Sequence, residues 1–566
     1  MWGGTDDPTI VGFANEFSVN RGESVQFKIS TTAPAYTIDI YRFGWYQGLG
    51  ARKVASLTPS APLPQTQPPC ARDDSVGLVD CGNWAVSASW DTTAAPLSGV
   101  YVAVARRSDT GGLSHIYFVV REDGRASQIL FTTNDTTWQA YNIYGGRSLY
   151  GGVGGRAYKV SYNRPDPSIT FLNFQYPLVR FLERNGYDVT YFSGVDAARR
   201  GPEILRHKVY MSGGHDEYWS GQQRANVEAA RDHGVNLAFL SGNEVFWKTR
   251  WEPSIDGSAT PYHTLVCYKE TLAGAKIDPS AEWTGTWRDA RFSPPSDGGR
   301  PENALTGTLY RVNSIRNDSI QVPAADGRMR LWRNTSVSSL PAGGVATFAA
   351  GTLGYEWDEA PDDAARPAGS FVMSSTTVVI TDGTYLLDEG GVYGNGTATH
   401  HLTMYRAPSG ALVFGAGTIQ WSYGLDDYSP IAPDVRMQQA TINLLADMGT
   451  QPTTLMPGLV TATQSTDTTA PAATISSPAP GAALVPGVAS VVSGTASDGG
   501  GGRVGGVEVS TDGGASWHPA VGRESWTYGW TPTTLGSTTI LARAVDDSGN
   551  LQTTPSSVSV SVAPAP

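Results

Sequence analysis

Alternating apolar and polar positions mark roughly the first 120 residues of the chain. Ser24–Ile29 and Tyr36–Arg42 place an apolar side chain at every second position, and turn residues separate such runs. A period of two is typical of strands with one buried face. Gly99–Val104 and His115–Val120 supply the last strands of the same pattern. We therefore predict an N-terminal β-sandwich over residues 1–122.

Short apolar runs separated by helical patterns replace this alternation after residue 122. Strand–helix alternation indicates a parallel sheet with helices on its faces. Ser220 and Gln223 have the spacing of a capping box, and Gly234 ends the helix that they begin. The elements predicted are strands at Gln128–Thr133, Tyr187–Phe192, His207–Ser212, Val235–Leu240 and Ala411–Thr418, with helices at about 175–184, 203–205, 220–234 and 433–448.

Three further regions complete the predicted organisation. Residues 250–400 lose all periodicity and are rich in Trp, Gly, Pro and Asp, which favours an insertion with short strands. Residues 456–470 are predicted to form a polar linker. In residues 471–566 apolar and polar positions alternate again, as an immunoglobulin-like sandwich requires. The predicted fold class is thus multidomain, with an α/β domain over 123–455 between two all-β domains.

Composition narrows the class of protein. Hydrophobic residues make up 40% of the chain and charged residues 16%, with 65 glycines and 36 prolines. This balance is typical of a loop-rich extracellular protein with much β structure. The net charge is −12 without a basic cluster, which argues against a nucleic-acid partner. No apolar run of about 18 residues exists, so we expect no membrane insertion. Oligomeric state is not predicted.

Cysteine usage and the chain start bear on the cellular compartment. Cys70 and Cys81 lie close together in a Pro/Asp/Gly-rich loop, so we favour a local disulfide over free thiols. Cys267 has no nucleophile-elbow context and is expected to be a buried structural thiol. Met1 leads directly into polar sequence, so an export signal, if there was one, is expected to have been removed. We expect a secreted protein.

Three polar and aromatic loops follow the predicted parallel strands. They are residues 134–142, 215–219 and 241–244. In an open parallel sheet, ligands bind outside the carboxyl ends of the strands. A hydrolase of this topology would carry Ser or Cys at the turn after the third strand, but Gly213, Gly214 and His215 stand there. A covalent acyl-enzyme is therefore disfavoured.

A metal is the next candidate for this rim. Glu217 lies two residues after His215, and Tyr141 is available from the neighbouring loop. Carboxylate and phenolate oxygens suit a hard cation, ferric iron especially, which can acidify a bound water. The alternative is that His215 and Glu217 only hydrogen-bond to the loop backbone and stabilise the rim.

Several segments in the same order resemble the large (β) subunit of N,N-dimethylformamidase. They are Ile40–Tyr46, Trp138–Asn142, Gly214–Trp219, Ser241–Glu244 and Gly417–Trp421. The resemblance covers roughly residues 10–450. It implies that the α/β domain is glutamine-amidotransferase-like, and that a mononuclear ferric iron is held by two tyrosines and one glutamate.

Motif by motif, the resemblance assigns residues to this implied site. The metal ligands are Glu217, Tyr141 and, by its distance upstream, Tyr101, for which Tyr117 is the rival. His215 and Asn243 lie nearby, with His215 or Glu244 moving protons and Asn243 binding substrate or oxyanion. The implied activity is hydrolysis of an amide C–N bond.

The chain departs from that family in having an immunoglobulin-like tail and no counterpart of its lectin-like domain. We therefore expect a larger or glycan-linked amide as substrate rather than dimethylformamide. Two other functions remain open. One is a non-catalytic carbohydrate- or surface-binding protein, which the 16 tryptophans favour. The other is a glycoside hydrolase that pairs Glu217 with Asp216 or Glu244.

Overall fold

The computed structural model describes residues 6–166, 170–292 and 298–564. The protein is mostly β-sheet with few helices. Within the described residues, none of the helices has the length and apolar character needed to cross a bilayer. Short 3-10 turns occur at Tyr46–Gly48, Thr92–Ala94, Arg330–Trp332, Ser336–Ser339 and Trp421–Gly424.

Two packed sheets form the N-terminal sandwich. One has the order β1-β3-β8 and the other β2-β10-β9-β4-β5, while β6 and β7 pair in a separate ribbon. Their strands are β1 (Ile10–Ala14), β2 (Ser18–Asn20), β3 (Ser24–Thr31), β4 (Tyr36–Phe43), β5 (Ala51–Leu57), β6 (Ala71–Asp73), β7 (Leu78–Asp80), β8 (Ala88–Asp91), β9 (Gly99–Arg107) and β10 (Leu113–Arg121).

Strand β9 is buried on both faces. Its side chains at Tyr101 and Ala103 enter the core between the two sheets of the sandwich. Those at Val100 and Val102 enter a second core, which continues through the middle of the chain. Because successive side chains of a strand point to opposite faces, this strand joins the sandwich to the next domain. The buried Arg42–Glu183 ion pair, at 2.6 Å, reinforces the junction.

The middle of the chain contains most of the helices. The helices are α1 (Asp135–Tyr141), α2 (Phe171–Phe174), α3 (Tyr176–Arg184), α4 (Gly194–Arg199), α5 (Gly201–Ile204), α6 (Gly221–Asp232), α7 (Glu270–Ala273), α8 (Asn303–Thr306), α9 (Ala324–Gly327) and α10 (Val435–Asp447). The Ser220 hydroxyl accepts from the Gln223 backbone N–H at 3.1 Å and caps α6.

The strands of this region follow in chain order. They are β11 (Ile129–Thr132), β12 (Lys159–Ser161), β13 (Val189–Phe192), β14 (Val209–His215), β15 (Tyr218–Ser220), β16 (Asn236–Gly242), β17 (Trp247–Glu252), β18 (Thr264–Val266), β19 (Leu309–Asp318), β20 (Gln321–Pro323), β21 (Val345–Thr347), β22 (Gly354–Glu359), β23 (Phe371–Val372), β24 (Thr376–Leu386), β25 (Tyr393–His400), β26 (Thr403–Arg406) and β27 (Leu412–Gly415).

The central sheet has the order β13-β11-β14-β16-β27-β26-β23. The first five strands run parallel, and β26 and β23 are antiparallel additions. The predicted parallel strands therefore exist, and β11, β14 and β16 are neighbours. A wider similarity to glutamine amidotransferases is not supported, because β-sheet outweighs helix in the chain as a whole.

The strands between residues 250 and 400 are not all short, as the sequence predicted them to be. Two strands there are long, β19 with 10 residues and β24 with 11. They belong to a four-stranded sheet of order β22-β19-β24-β25. Register shifts interrupt the pairing of β19 with β22 and of β24 with β25. Such irregularities break the period of two that would have predicted the strands.

The C-terminal sandwich consists of two sheets, β28-β30-β34-β33 and β29-β36-β35-β31-β32. Its strands are β28 (Ala472–Ser477), β29 (Ala483–Leu484), β30 (Ser490–Ser497), β31 (Val504–Ser510), β32 (His518–Pro519), β33 (Val521–Gly522), β34 (Ser525–Trp530), β35 (Gly536–Asp546) and β36 (Ser556–Val562).

Ion pairs and hydrogen bonds hold this sandwich against the rest of the chain. Arg366 pairs with the buried Glu508, and Arg523 pairs with Asp326 at 2.7 Å. The segment that joins the domains is also anchored, since the Arg333 guanidinium donates to the Thr463 carbonyl at 3.0 Å. The domain is therefore held by direct contacts as well as by its covalent connection.

The structure confirms both cysteine predictions. Cys70 and Cys81 form a disulfide. Cys267 is buried and free, and burial raises the pKa of its thiol to about 11. A thiol with so high a pKa is a poor nucleophile near neutral pH.

A buried histidine makes the stability of the fold depend on pH. His400, at the end of β25, is fully buried, and burial lowers the pKa of its imidazole to about 3. The unfolded chain takes up a proton below pH 6.5 whereas the folded chain does not, so stability declines as the pH falls from 6.5 toward 3.

We predict that His400→Gln removes this dependence. Between pH 7 and pH 5 the wild type should lose about 2 kcal/mol of unfolding free energy relative to the variant. Chemical denaturation of both proteins at the two pH values measures this difference. A gap between them that stays constant with pH would contradict the assignment.

Candidate functional site

The carboxyl ends of β11, β14 and β16 meet at one edge of the central sheet, as the sequence predicts. Strand β11 leads into α1, which carries Tyr141, while β14 ends at His215 and β16 ends just before Asn243. Gly214 has φ +87°, and a Cβ there would lie 2.6 Å from the Phe174 Cβ. Only glycine fits this close turn, which directs the following residues into the site.

Glu217 is the centre of the site. Its buried carboxylate accepts hydrogen bonds from three side chains on different elements. The Trp247 indole donates to Oε1 at 2.9 Å, and the hydroxyls of Tyr150 and Tyr141 donate to Oε2 at 2.6 and 3.3 Å. Its backbone N–H donates to the Thr137 hydroxyl at 2.9 Å. The carboxylate is therefore fixed in position by its donors.

The two tyrosines stand side by side. The rings of Tyr141 and Tyr150 stack with their centroids 4.3 Å apart. Burial, and then the Glu217 charge, raise the pKa of each phenol well above its ordinary value. Tyr141 and Tyr150 keep 37% and 43% of their surfaces exposed. A solvent-facing side of the site therefore lies at this pair of tyrosines.

His215 lies between two carboxylates. Its Nε2 is 3.5 Å from Glu217 Oε2 and 3.4 Å from Glu356 Oε2. Glu356 is in β22, and burial raises the pKa of its carboxyl. The Asn243 side-chain amide donates to the same Glu356 oxygen at 3.3 Å. His215 and Asn243 thus join the cluster, as predicted.

A buried lysine covers the other side of the tyrosines. Lys269 Nζ lies 3.4 Å from the centroid of the Tyr150 ring and 4.6 Å from that of Trp247. Burial lowers the pKa of this amine to about 8, although the Glu217 charge opposes the shift. The lysine therefore places a cation–π contact directly on a member of the site.

Tyr101 and its rival Tyr117 are not part of this cluster, which corrects the predicted ligand set. The Tyr101 ring packs on Phe118 at 5.6 Å in the sandwich core, and its hydroxyl donates to the Leu97 carbonyl at 2.5 Å. Tyr117 stacks on Phe43 at 5.8 Å. The structure brings in Tyr150 as the second tyrosine instead.

Glu244 is also outside the cluster. Its buried carboxyl faces that of Asp216, and burial followed by this repulsion raises its pKa. Asp216 accepts from the Ser212 hydroxyl at 3.4 Å. The role predicted for Glu244 in moving protons at the site is therefore not supported by its position. The carboxyls that face His215 are those of Glu217 and Glu356.

Two residues of the site, Tyr150 and Glu356, were not predicted from the sequence, for different reasons. Tyr150 follows Tyr141 by nine residues, in the glycine-rich loop after α1, so the sequence held a usable signal. Glu356 lies in the acidic and aromatic run from Tyr355 to Glu359, inside the region without periodicity. Nothing local to that run indicated that it reaches the sheet edge.

The converging oxygens suit a hard metal ion. Tyr141, Tyr150 and Glu217 offer three anionic or phenolic oxygens at one point, and both hydroxyls already lie against Glu217 Oε2. Such an oxygen-rich set matches ferric iron better than soft or nitrogen-preferring ions. The residues present therefore fit the metal that the resemblance implied.

The chain that carries this oxygen-rich cluster matches a known protein family over most of its length. Residues 37–435 match the family described as N,N-dimethylformamidase beta subunit-like, C-terminal. The match covers more than half of the chain, so the chain belongs to this family. Membership indicates a hydrolase of the dimethylformamidase type. Residues 471–550 match a bacterial Ig domain.

Two solved structures that resemble this chain each cover only a small part of it. No curated protein matches the chain. Clostridium thermocellum CbhA fibronectin(III)-like modules are 23% identical over 17% of this chain and 99% of theirs, with a TM-score of 0.15. The PKD domain of an M14-like peptidase from Thermoplasmatales archaeon SCGC AB-540-F20 is 15% identical, over 17% of this chain and 94% of that domain, with a TM-score of 0.14. Scores this low support no statement on shared function.

We predict that Trp247→Phe destabilises the metal-free protein by about 2 kcal/mol, because it removes a hydrogen bond to a buried carboxylate. Trp332→Phe is the matched control, since the buried Trp332 indole donates to the neutral Met373 carbonyl at 2.8 Å. Trp332→Phe should lower the free energy of unfolding by about 1 kcal/mol less than Trp247→Phe does. Chemical denaturation with a chelator present measures both, and equal losses would contradict the argument.

Proposed function

We propose that the protein is an iron-dependent hydrolase that cleaves an amide C–N bond outside the cell. The observation that carries the proposal is the convergence of the Tyr141 and Tyr150 hydroxyls on Glu217, with His215 reaching from that carboxylate to Glu356. The family match supports the hydrolase class. The Cys70–Cys81 disulfide supports an oxidising compartment.

In this proposal Tyr141, Tyr150 and Glu217 hold the ferric ion. When bound, the ion polarises the amide carbonyl and lowers the pKa of water. Trp247 and Thr137 keep the Glu217 carboxylate in one orientation through their hydrogen bonds to its Oε1 and backbone. Orientation of this kind fixes ligand geometry without movement during the reaction.

The proton transfers fall to His215 and Glu356 in this scheme. With Nε2 at 3.4 Å from Glu356 Oε2, His215 can accept a proton from the attacking water and return it to the leaving nitrogen. The Asn243 amide keeps Glu356 in place at 3.3 Å. Its remaining N–H can donate to the developing oxyanion.

The substrate enters from the side of Tyr141 and Tyr150, which keep 37% and 43% of their surfaces exposed. The neighbouring aromatic side chains favour a neutral amide with apolar substituents over a charged one. A larger or glycan-linked amide remains the proposed class, because a secreted enzyme encounters such compounds.

Metal content tests the ligand assignment. We predict about one iron per chain and a tyrosinate-to-iron absorption band in the wild type, with both lost or strongly reduced in Tyr150→Phe and Glu217→Ala. Tyr101→Phe is the control and should keep both, since its hydroxyl bonds to the Leu97 carbonyl. Iron that survives in Tyr150→Phe but not in Tyr101→Phe would restore the original assignment.

Amine release from a panel of neutral amides tests the chemistry. We predict that Glu356→Gln lowers kcat by roughly 10²-fold or more while iron content stays unchanged, because proton transfer is impaired. Glu244→Gln should stay within a few-fold of the wild type. Full activity in Glu356→Gln, or hydrolysis of glycosides in place of amides, would reject the proposed mechanism.

A further inference from the structure

A groove of about 330 Å³ opens at the far end of β17 from the site. Its aromatic wall is Trp251 with Tyr262, and its polar lining includes Gln222, Arg250, Glu252 and Glu282. Pro253 and Pro261 stiffen its rim. The volume lies in the range of pockets that bind small ligands.

The aromatic wall is held in a strained arrangement. The Trp251 ring contacts the rings of Tyr162 and Tyr262, with centroids 5.6 and 5.9 Å apart. Tyr262 has φ +60°, and Ala259 in the same loop has φ +53°. A left-handed backbone is unfavourable for a bulky residue, and such strain is concentrated at binding and catalytic sites.

The charges of the groove are already balanced. Lys159 donates to Glu252 at 2.6 Å, Lys248 donates to Glu282 at 2.7 Å, and Arg250 donates to both Glu252 and Asp278. Three cations thus neutralise three carboxylates. A charged ligand would have to displace one of these pairs, whereas a neutral polar ligand can hydrogen-bond to them as they stand.

Two polar side chains of the groove are available for a ligand. Among the described residues, neither the exposed Gln222 amide nor the Tyr262 hydroxyl has a hydrogen-bond partner. An aromatic face beside planar amide, carboxylate and guanidinium groups matches a sugar ring, which has an apolar face and a rim of hydroxyls. We infer that this groove is a binding site for a neutral carbohydrate.

The groove is separate from the cluster at Glu217. Trp247, which binds Glu217, begins β17, and Trp251 lies four residues further along. Four residues of strand span about 13 Å. The inference therefore does not depend on iron binding or on amide hydrolysis, and it applies to the chain with or without metal.

Calorimetric titration with neutral hexasaccharides of β-1,4-glucose, α-1,4-glucose, β-1,4-xylose and β-1,4-mannose tests the inference. We expect at least one to bind the full-length protein at a single site. Tyr262→Ala and Trp251→Ala should raise its Kd by roughly tenfold or more, because the stacking surface is lost. Gln222→Ala, at an exposed helix start, should raise Kd about threefold while folding normally by circular dichroism.

Trp517→Ala is the matched control. Trp517 lies in the C-terminal sandwich, where its ring packs against Arg543 at 3.9 Å, and its loss should leave Kd unchanged. Loss of binding in Trp517→Ala but not in Tyr262→Ala would move the sugar site to the C-terminal domain and overturn the inference. Binding of an acidic hexagalacturonate alone, or no binding by any neutral sugar, would overturn it as well.

Discussion

The Glu217 carboxylate is the group on which the site depends, because a carboxylate in a dry environment must be supplied with donors. Burial of an unpaired charge costs far more than a typical hydrogen bond returns, so the fold must bring donors to it. They come from the end of α1, from the loop after it and from the start of β17. Three separate segments are thereby tied to one side chain, and the same side chain is the one that we propose as a metal ligand.

Much of this arrangement could be predicted because parallel strands impose simple geometry. The alternation of strands and helices identified β11, β14 and β16, and their carboxyl ends necessarily share an edge. That argument placed Tyr141, His215, Glu217 and Asn243 together without any contact being known. It placed Glu244 there as well, yet that side chain faces Asp216 instead. Topology therefore gives the position of a loop but not the direction of each side chain in it.

The remaining members of the site depend on packing that the alternation of strands and helices does not show. Tyr101 occupies an inward position of β9, and the two-faced burial of that strand sends the tyrosine into the sandwich rather than toward the sheet edge. Tyr150, the tyrosine that does stack on Tyr141 beside Glu217, lies in an irregular loop without period. Glu356 comes from a sheet whose register shifts hide its strands, and it reaches His215 across 141 residues of chain. For both Tyr150 and Glu356, the strand–helix pattern of the sequence does not indicate that the residue lies near Glu217 in space.

The contacts that hold the C-terminal sandwich change what that domain can do. A domain on a free linker samples many orientations, and its effect on a neighbouring site depends on linker length. Here Arg366, Arg523 and Arg333 reach across the junction to fixed acceptors. Any ligand bound by the sandwich is then held in a fixed orientation relative to the rest of the chain. The C-terminal sandwich therefore orients a bound ligand rather than only raising its local concentration. Lengthening the joining segment would change this orientation less than breaking the three arginine contacts.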